Sequence, residues 1–490
     1  MTPPPFLRAP PFPQAQALVA KPAQLPSHVP ADALDLLRAA RVGGTFWLAS
    51  DPWTAVEQTS HLTAHGDDER VAIAAILGIP VTVLSAGPWG VPDASAEALR
   101  NHLIQALAAL DYVDPFTGNP SSFAATIDLL AQWKREIATN RAIVAASGMA
   151  WWKRSEIRRF LWVPERRLHI TRSASRALRI ARQHNGDVAV WPSRVSSQLL
   201  SEAKAQHTSI VRVEDGFVRS VGLGSNLVPP SSVVVDTRGI HFDPASPSDL
   251  EHLLSSTEFA ATLTNRAATL RETIVAAGIS KYAAGPAAPL PPRDPSRKLI
   301  LVPAQVEDDM SVLAGGGGLT SNLELLRRVR AMEPDAEIWF RPHPDVDAGH
   351  RKGAVPDADA LLHADRVVRG GGMAPLLDVV DAVHVLTSLT GFEALMRHRE
   401  VTCHGTPFYA GWGLTRDLAP VPDRRGRTLS LDELVAGVLI LYPRYLDPVT
   451  GLPCPPEVLV SRMASAQATN RLSWVAPLRH CQGWFMAHFR

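Results

Sequence analysis

Short apolar runs alternate along this chain with stretches of helical period, and that alternation predicts its architecture. "DVAVW" at 187–191, "SIVRV" at 209–213, "KLILVP" at 298–303, "AEIWFRP" at 336–342, "AVHVLTS" at 382–388 and "EVTCHG" at 400–405 read as buried strands. Between them lie helical patterns: an Arg-rich stretch from Ser173, another around Ser197 to Gln206, and "NLELLRRVRAM" at 322–332. Strands alternating with helices predict parallel sheets covered on both faces. "SSVVVDTRGIHFD" at 231–243 reads as a hairpin. Ser246-Pro247 with Asp249 reads as a helix start, with a serine cap, proline in the first position and an acid in the first turn. "AAGPAAPLPPRDPSR" at 283–297 is a Pro/Gly-rich linker. The expected fold class is therefore α/β, a pair of Rossmann-like domains facing a cleft.

An internal repeat adds a further layer. "YVDPFTGNP" at 112–120 recurs as "YLDPVTGLP" at 445–453, each after an apolar helix, and "ATNR" occurs at 138–141 and again at 468–471. The chain reads as the last part of one module followed by a complete second one. Residues 1–30 are expected to be a Pro-rich disordered tail and 31–130 a degenerate remnant. Residues 131–290 and 291–490 are expected to form the two Rossmann-like halves, the second carrying C-terminal helices.

Composition narrows the class. Among 490 residues, 49 Lys plus Arg nearly cancel 48 Asp plus Glu, so no global field recruits nucleic acid. Cys403, Cys454 and Cys481 form no paired framework and no C-x-x-C, which argues for a reducing compartment and against structural zinc. The N-terminus lacks the basic start and apolar core of a signal peptide. Val71 to Pro92 is free of charge and long enough to cross a bilayer, but Gly78, Pro80, Gly87 and Pro88 break it into a helix, a strand and a turn.

Ligands of parallel α/β sheets bind beyond the carboxyl ends of strands, and the chemistry-bearing residues here all follow strands. "VEDG" places Glu214 and Asp215 at a strand end. Neighbouring side chains point to opposite faces, so one acid is expected in the cleft, presented by a turn at Gly216. Pairing of both acids with Arg212 and Arg219 is the structural alternative. "VPAQVEDDMSVLAGGGGLTSN" at 302–322 matches neither G-x-G-x-x-G nor a Walker loop, which removes dinucleotide and ATP fingerprints. Its glycines could approach an anion, and Glu307, Asp308 and Asp309 could hold a divalent metal or sugar hydroxyls. "WFRPHPD" fixes His343 between two prolines near Arg341, suiting a phosphate leaving group by hydrogen bonding or by charge. "LTSLTGFEAL" has Thr387 and Ser388 ending a strand, and Glu393 one turn into a helix, a place for phosphate and ribose hydroxyls. "PFYAGWG" at 407–413 is an aromatic turn expected to pack rather than react.

Together "RVEDGFVRSVGLG", "VPAQVEDD", "RPHPDV", "LTSLTGFEAL", "HGTPFYAGWGLT" and "LILYPRYLDPVTGLPCPPE" resemble the KpsC-type capsular polysaccharide proteins, bacterial retaining β-Kdo transferases of GT-B architecture. The matches cover most of residues 140–465. Ala304 departs from the glycine expected before Gln305, and His404-Gly405-Thr406 departs in the aromatic turn. Residues 31–130 carry no counterpart of the site motifs and read as catalytically silent.

The resemblance implies CMP-Kdo as donor, with no cofactor and no metal. It implies a lyso-phosphatidylglycerol-linked Kdo acceptor at the cytoplasmic face of the inner membrane, peripheral membrane contact, and other capsule transferases as partners. By motif match Asp215 is the nucleophile of a double displacement, Glu214 orients its neighbours and His343 assists nucleotide departure. Substrate contacts are assigned to Arg194, Arg219, Gln305, Glu307, Asp308, Arg341, Thr387, Ser388 and Glu393. Arg194 and Arg219 are the candidates for the donor carboxylate. A non-catalytic scaffold in capsule assembly, or transfer of another CMP-activated ulosonic acid, stands as the alternative.

Overall fold

The computed structural model describes residues 5–13, 15–25, 27–220, 228–281, 289–349 and 351–465. The glycine-rich continuation of the "VEDG" stretch, most of the first part of the linker, the second "ATNR" and Cys481 lie outside these residues. The chain divides into two compact units.

The first unit comprises Met1–Val144, Ile157–His169 and Val449–Cys454. The Pro-rich segment, expected to be disordered, is packed. Phe6, Leu7 and Phe12 are buried, Phe12 stands edge-on to Trp133 at 5.1 Å, and Ala20–Pro22 pairs antiparallel with Leu110–Tyr112. Apolar side chains spaced between prolines supply anchors that a purely compositional reading discounts. The expected boundary at residue 130 also moves, because the helix Phe123–Asn140 runs across it. Trp133 Nε1 donates to the Pro453 carbonyl at 2.8 Å, and Asn140 Nδ2 to those of Phe160 and Trp162 at 3.0 and 3.1 Å. These buried donors need their distant acceptors, so the chain re-enters this unit twice. The charge-free stretch forms the helix Arg70–Leu77, closed by Gly78 at φ 77°, and the strand Val81–Val83. Among the described residues no helix is long and apolar enough to cross a membrane.

The second unit holds two sheets. The first contains β1 (Ile143–Ser147, of which Ala145 to Ser147 belong to this unit), β2 (Asp187–Val190), β3 (Ile210–Asp215) and β4 (Ser232–Asp236). β2 and β3 are parallel; β4 runs antiparallel to β3. The expected hairpin is therefore one strand, whose partners are β3 and, from more than two hundred residues later, Pro443–Leu446. The helix after it starts at Asp249 with Ser248 as cap, not Ser246. Ser248 and Glu251 exchange side-chain and backbone bonds in a capping box, satisfying two donors where Ser246 could satisfy one.

The second sheet is wholly parallel: β5 (Leu299–Pro303), β6 (Glu337–Arg341), β7 (Arg366–Val367), β8 (Ala382–Val385), β9 (Glu400–Cys403) and β10 (Arg416–Asp417). Its order is β7-β6-β5-β8-β9-β10, so chain direction across the sheet reverses between β5 and β8. Every residue of β5, β6 and β8 is buried, as continuous apolar runs require. The helix α1 (Asn322–Met332) covers one face with Leu325, Leu326 and Val329, each contributing about 1.5–3 kcal/mol of burial. The expected α/β architecture is observed, a GT-B-like arrangement with one mixed and one parallel sheet.

Candidate active site

β3 ends where β4 comes unusually close. A Cβ on Gly216 would lie 2.2 Å from Ser232 Oγ, so glycine is required for space, not for a special backbone angle. Both acids still belong to β3, and Glu214 Oε1 accepts the Asp215 N–H at 3.0 Å. Both line the same cavity, against the expectation that strand alternation would separate them.

Asp215 is clamped between two cations. Lys153 Nζ lies 2.9 Å from Oδ1 and Arg219 Nε 2.7 Å from Oδ2. Burial alone would raise this carboxyl, yet Arg219, Lys153 and Lys281 outweigh it and hold Asp215 well below the usual carboxylate range. Glu214 goes the other way: burial first, then the Asp215 charge, raises it. Lys153 is itself buried, its ammonium 3.4 Å from the centre of the Trp191 ring and 5.0 Å from Trp152, which replaces part of its lost hydration. Nothing in the motif reading pointed to Lys153; a lysine following two tryptophans in "WWKR" was its one sequence signal.

The two arginines assigned to the donor carboxylate separate. Arg219 is 1% exposed, and its remaining nitrogens donate to Ser220 Oγ at 2.7 Å and the Val228 carbonyl at 2.9 Å. Its fork is spent on fixing Asp215. Arg194 is exposed, lines the cavity, and its guanidinium has no ion pair among the described residues.

The second sheet contributes residues at its reversal point, where α/β sheets bind ligands. Gln305, following β5, accepts from the Thr387 N–H at 2.8 Å and donates to Thr387 Oγ1 at 3.0 Å, stitching the ends of β5 and β8 together. Its amide therefore holds the crevice open in a fixed shape. Ser388 caps α2 (Leu389–Leu395) through Thr390. Glu393, expected at ribose hydroxyls, accepts the Lys281 N–H at 2.7 Å and is pushed up to about 7 by burial.

His343 lies after β6. Its Nδ1 accepts the Asp345 N–H at 3.2 Å and burial lowers its pKa, so the neutral ring carries its proton on Nε2. Of the two options left open for this histidine, the structure favours a hydrogen-bond donor over a fixed charge. Arg341 lines the cavity but donates to the carbonyls of Val368 and Gly371, at 3.2 and 2.9 Å, shaping the loop ahead of Met373.

The acidic run 307–309 does not converge. Glu307 accepts the Asn322 N–H at 2.8 Å at the start of α1 and is not among the cavity's lining residues. Asp308 pairs with Arg351 at 3.1 Å and Asp309 caps its own helix through Ser311. The four glycines that follow are likewise absent from the lining. Among the described residues no group of three His, Cys, Asp or Glu side chains is placed to hold a metal ion.

The description "Capsule polysaccharide biosynthesis protein" belongs to a family model that matches residues 186–288 and 291–445. The chain belongs to this family. LipA of Neisseria meningitidis, a capsule polysaccharide modification protein, is 40% identical over 378 residues, covering 74% of this chain and 53% of LipA. The lipopolysaccharide-processing protein LpsZ of Rhizobium meliloti is 48% identical over 239 residues, 48% of this chain and 54% of LpsZ. The chain thus spans about half the length of the curated relatives it matches. Two solved Thermosulfurimonas dismutans KpsC structures share its fold. The beta Kdo 2,7 transferase has TM-score 0.55 and 34% identity, covering 67% of this chain and 100% of that one. The beta Kdo 2,4 transferase has TM-score 0.57 and 30% identity, covering 66% and 98%.

In this capsule-family chain the cavity measures about 1070 Å³, as large as small-molecule sites commonly are. Pro407 and Phe408 of the aromatic turn line it, while Tyr409 and Trp412 are buried behind, so that turn is mostly packing. One carboxylate held as an anion, a neutral carboxyl neighbour, a free arginine and a neutral imidazole donor share this space. That set suits displacement at a carbon bearing an anionic leaving group.

Proposed function

We propose that this chain is a retaining β-Kdo transferase, moving Kdo from CMP-Kdo to a glycolipid-linked Kdo acceptor in capsular polysaccharide linker synthesis. The observation that carries the reading is the clamp on Asp215: two buried cations keep its carboxylate ionised in the wall of the cavity. A carboxylate so held is poised to attack carbon, and a second displacement then restores the original configuration. The family match and the two KpsC structures support the donor and acceptor classes.

Kdo has a quaternary anomeric carbon that carries a carboxylate, and Arg194 is the arginine left to bind it. His343 donates from Nε2 to the phosphate oxygen on which charge develops as CMP departs. A single-phosphate leaving group needs less neutralisation than a diphosphate, so on this reading transfer proceeds without a metal and at the cytoplasmic face of the inner membrane. Residues 31–130, with none of the site motifs, are taken as the silent remnant of a first module.

Incubation of the full chain with CMP-Kdo alone tests the reading. Intact-mass analysis should show a species heavier by one Kdo unit, mapping to the peptide containing Asp215. Asp215→Asn should bind donor, form no adduct and transfer nothing. Donor binding without adduct or transfer in the wild type would point instead to a non-catalytic scaffold.

A further inference from the structure

The second displacement has a requirement that the first lacks. Departure of CMP asks only that charge on a phosphate be stabilised. Attack by an acceptor hydroxyl on the Asp215 ester releases a proton, and a group beside the reacting carbon must take it. Lys153 and Arg219, which touch Asp215, are cations with nothing to accept a proton. His343 faces the phosphate on the reading above, and its Nδ1 is occupied. Glu214 remains. It lines the same cavity as Asp215, is fixed there by the Asp215 N–H at 3.0 Å, and forms no ion pair among the described residues.

We infer that Glu214 is the general base of the second displacement, taking the proton of the acceptor hydroxyl as Asp215 leaves the sugar; the inference rests on the retaining reading of the site.

The charges around the pair explain why the proton moves when it should. Lys153 and Arg219 touch Asp215, and Glu214 is left beside that anion and out of water. In the resting site Asp215 is therefore the anion, and Glu214 binds a proton more readily than an ordinary carboxyl. Esterification removes the Asp215 charge. Glu214 then faces Lys153 and Lys281 without the Asp215 charge beside it, the sugar carboxylate being taken by Arg194, and its ionised form is favoured. Attack by the acceptor returns the charge to Asp215 and restores the pressure on Glu214 to bind a proton. One negative charge is conserved across the pair through the cycle.

Atoms and protons balance. In the first step an Asp215 oxygen bonds to the anomeric carbon, and the carbon–oxygen bond to phosphate breaks with its electron pair going to CMP. The Glu214 proton passes through solvent to the released phosphate. In the second step the acceptor oxygen bonds to the anomeric carbon, the bond to Asp215 breaks, and the hydroxyl proton goes to Glu214.

Glu214→Gln separates the two steps. The variant should form the adduct from CMP-Kdo at a rate within several-fold of wild type, and then discharge it to a hydroxyl acceptor about 10²–10⁴-fold more slowly. Azide, which attacks without releasing a proton, should discharge both adducts at similar rates and yield the azido sugar. A Glu214→Gln adduct that reaches the hydroxyl acceptor at the wild-type rate overturns the inference. So does a variant that forms no adduct, or one that azide cannot discharge, since either makes Glu214 a positioning residue. Absence of adduct from the wild type as well would sink the retaining reading itself, a separate result. A second measurement needs no variant: over the pH range in which azide itself stays ionised, wild-type discharge to the hydroxyl acceptor should fall on the acid side, and discharge to azide should not.

Discussion

Replacing Lys153 by methionine removes one of the two charges on Asp215 and keeps an unbranched side chain against Trp191. The lost contact is the 2.9 Å bond to Oδ1; the 2.7 Å bond from Arg219 to Oδ2 stays. With side chains only 8% and 18% exposed, water replaces little of it. Breaking a buried pair of this kind costs about 3–5 kcal/mol. At about 1.4 kcal/mol per pH unit, the Asp215 pKa should rise by about two to four units. In the wild type the folded value is depressed below the unfolded one. The stabilisation it brings is therefore complete above the unfolded carboxylate pKa, about 3.9, and is lost only as pH falls through the lower folded value. Wild-type adduct formation should accordingly be insensitive to Asp215 ionisation above pH ~5. Lys153→Met should bring an acid limb into about pH 3–5, and Lys153→Arg should largely remove it. The assay is the rate of adduct formation by intact mass across that range, on protein checked for folding by circular dichroism. A methionine variant with a wild-type profile would show that the remaining cations set the Asp215 charge without Lys153, and the clamp argument would fail.

Two further outcomes follow from the same geometry. Arg194→Ala should weaken donor binding about ten- to a hundredfold, the loss of one charge-assisted hydrogen bond of about 1.5–3 kcal/mol, and should appear in KM far more than in kcat; an unchanged KM would leave the donor carboxylate without the partner assigned to it. His343→Ala should slow nucleotide departure by about 10²–10³-fold, while a chelator leaves wild-type turnover unchanged; strict dependence on Mg²⁺ would require a different account of the leaving group.

Much of the fold was legible because its signals are local. "LILVP" is apolar throughout, and "EIWFR" and "AVHV" hold mostly apolar residues on both faces, as strands buried on both faces require; all three are such strands. Residues that follow strand ends, among them Asp215, Gln305, His343 and Ser388, could be singled out from position alone, and all four line the cavity. What the chain could not disclose is which partner each side chain meets. Lys153 stands 62 positions from Asp215, and Gln305 stands 82 from Thr387. Arg194 and Arg219 look alike in the sequence. Tertiary structure spends Arg219 on Asp215, Ser220 and Val228, and leaves Arg194 to the cavity. Glu307 and Asp308 are adjacent acids, yet the start of α1 takes the first and Arg351 the second. Glu214 and Asp215 were expected to be separated by the period of a strand; both belong to β3, yet both line the cavity, with the Glu214 carboxylate accepting the Asp215 N–H. The sequence determined which residues could do chemistry here, because backbone period and strand ends are properties of neighbours. Only the packed chain decided their charge and their roles, because burial and ion pairing are set by residues far away along it.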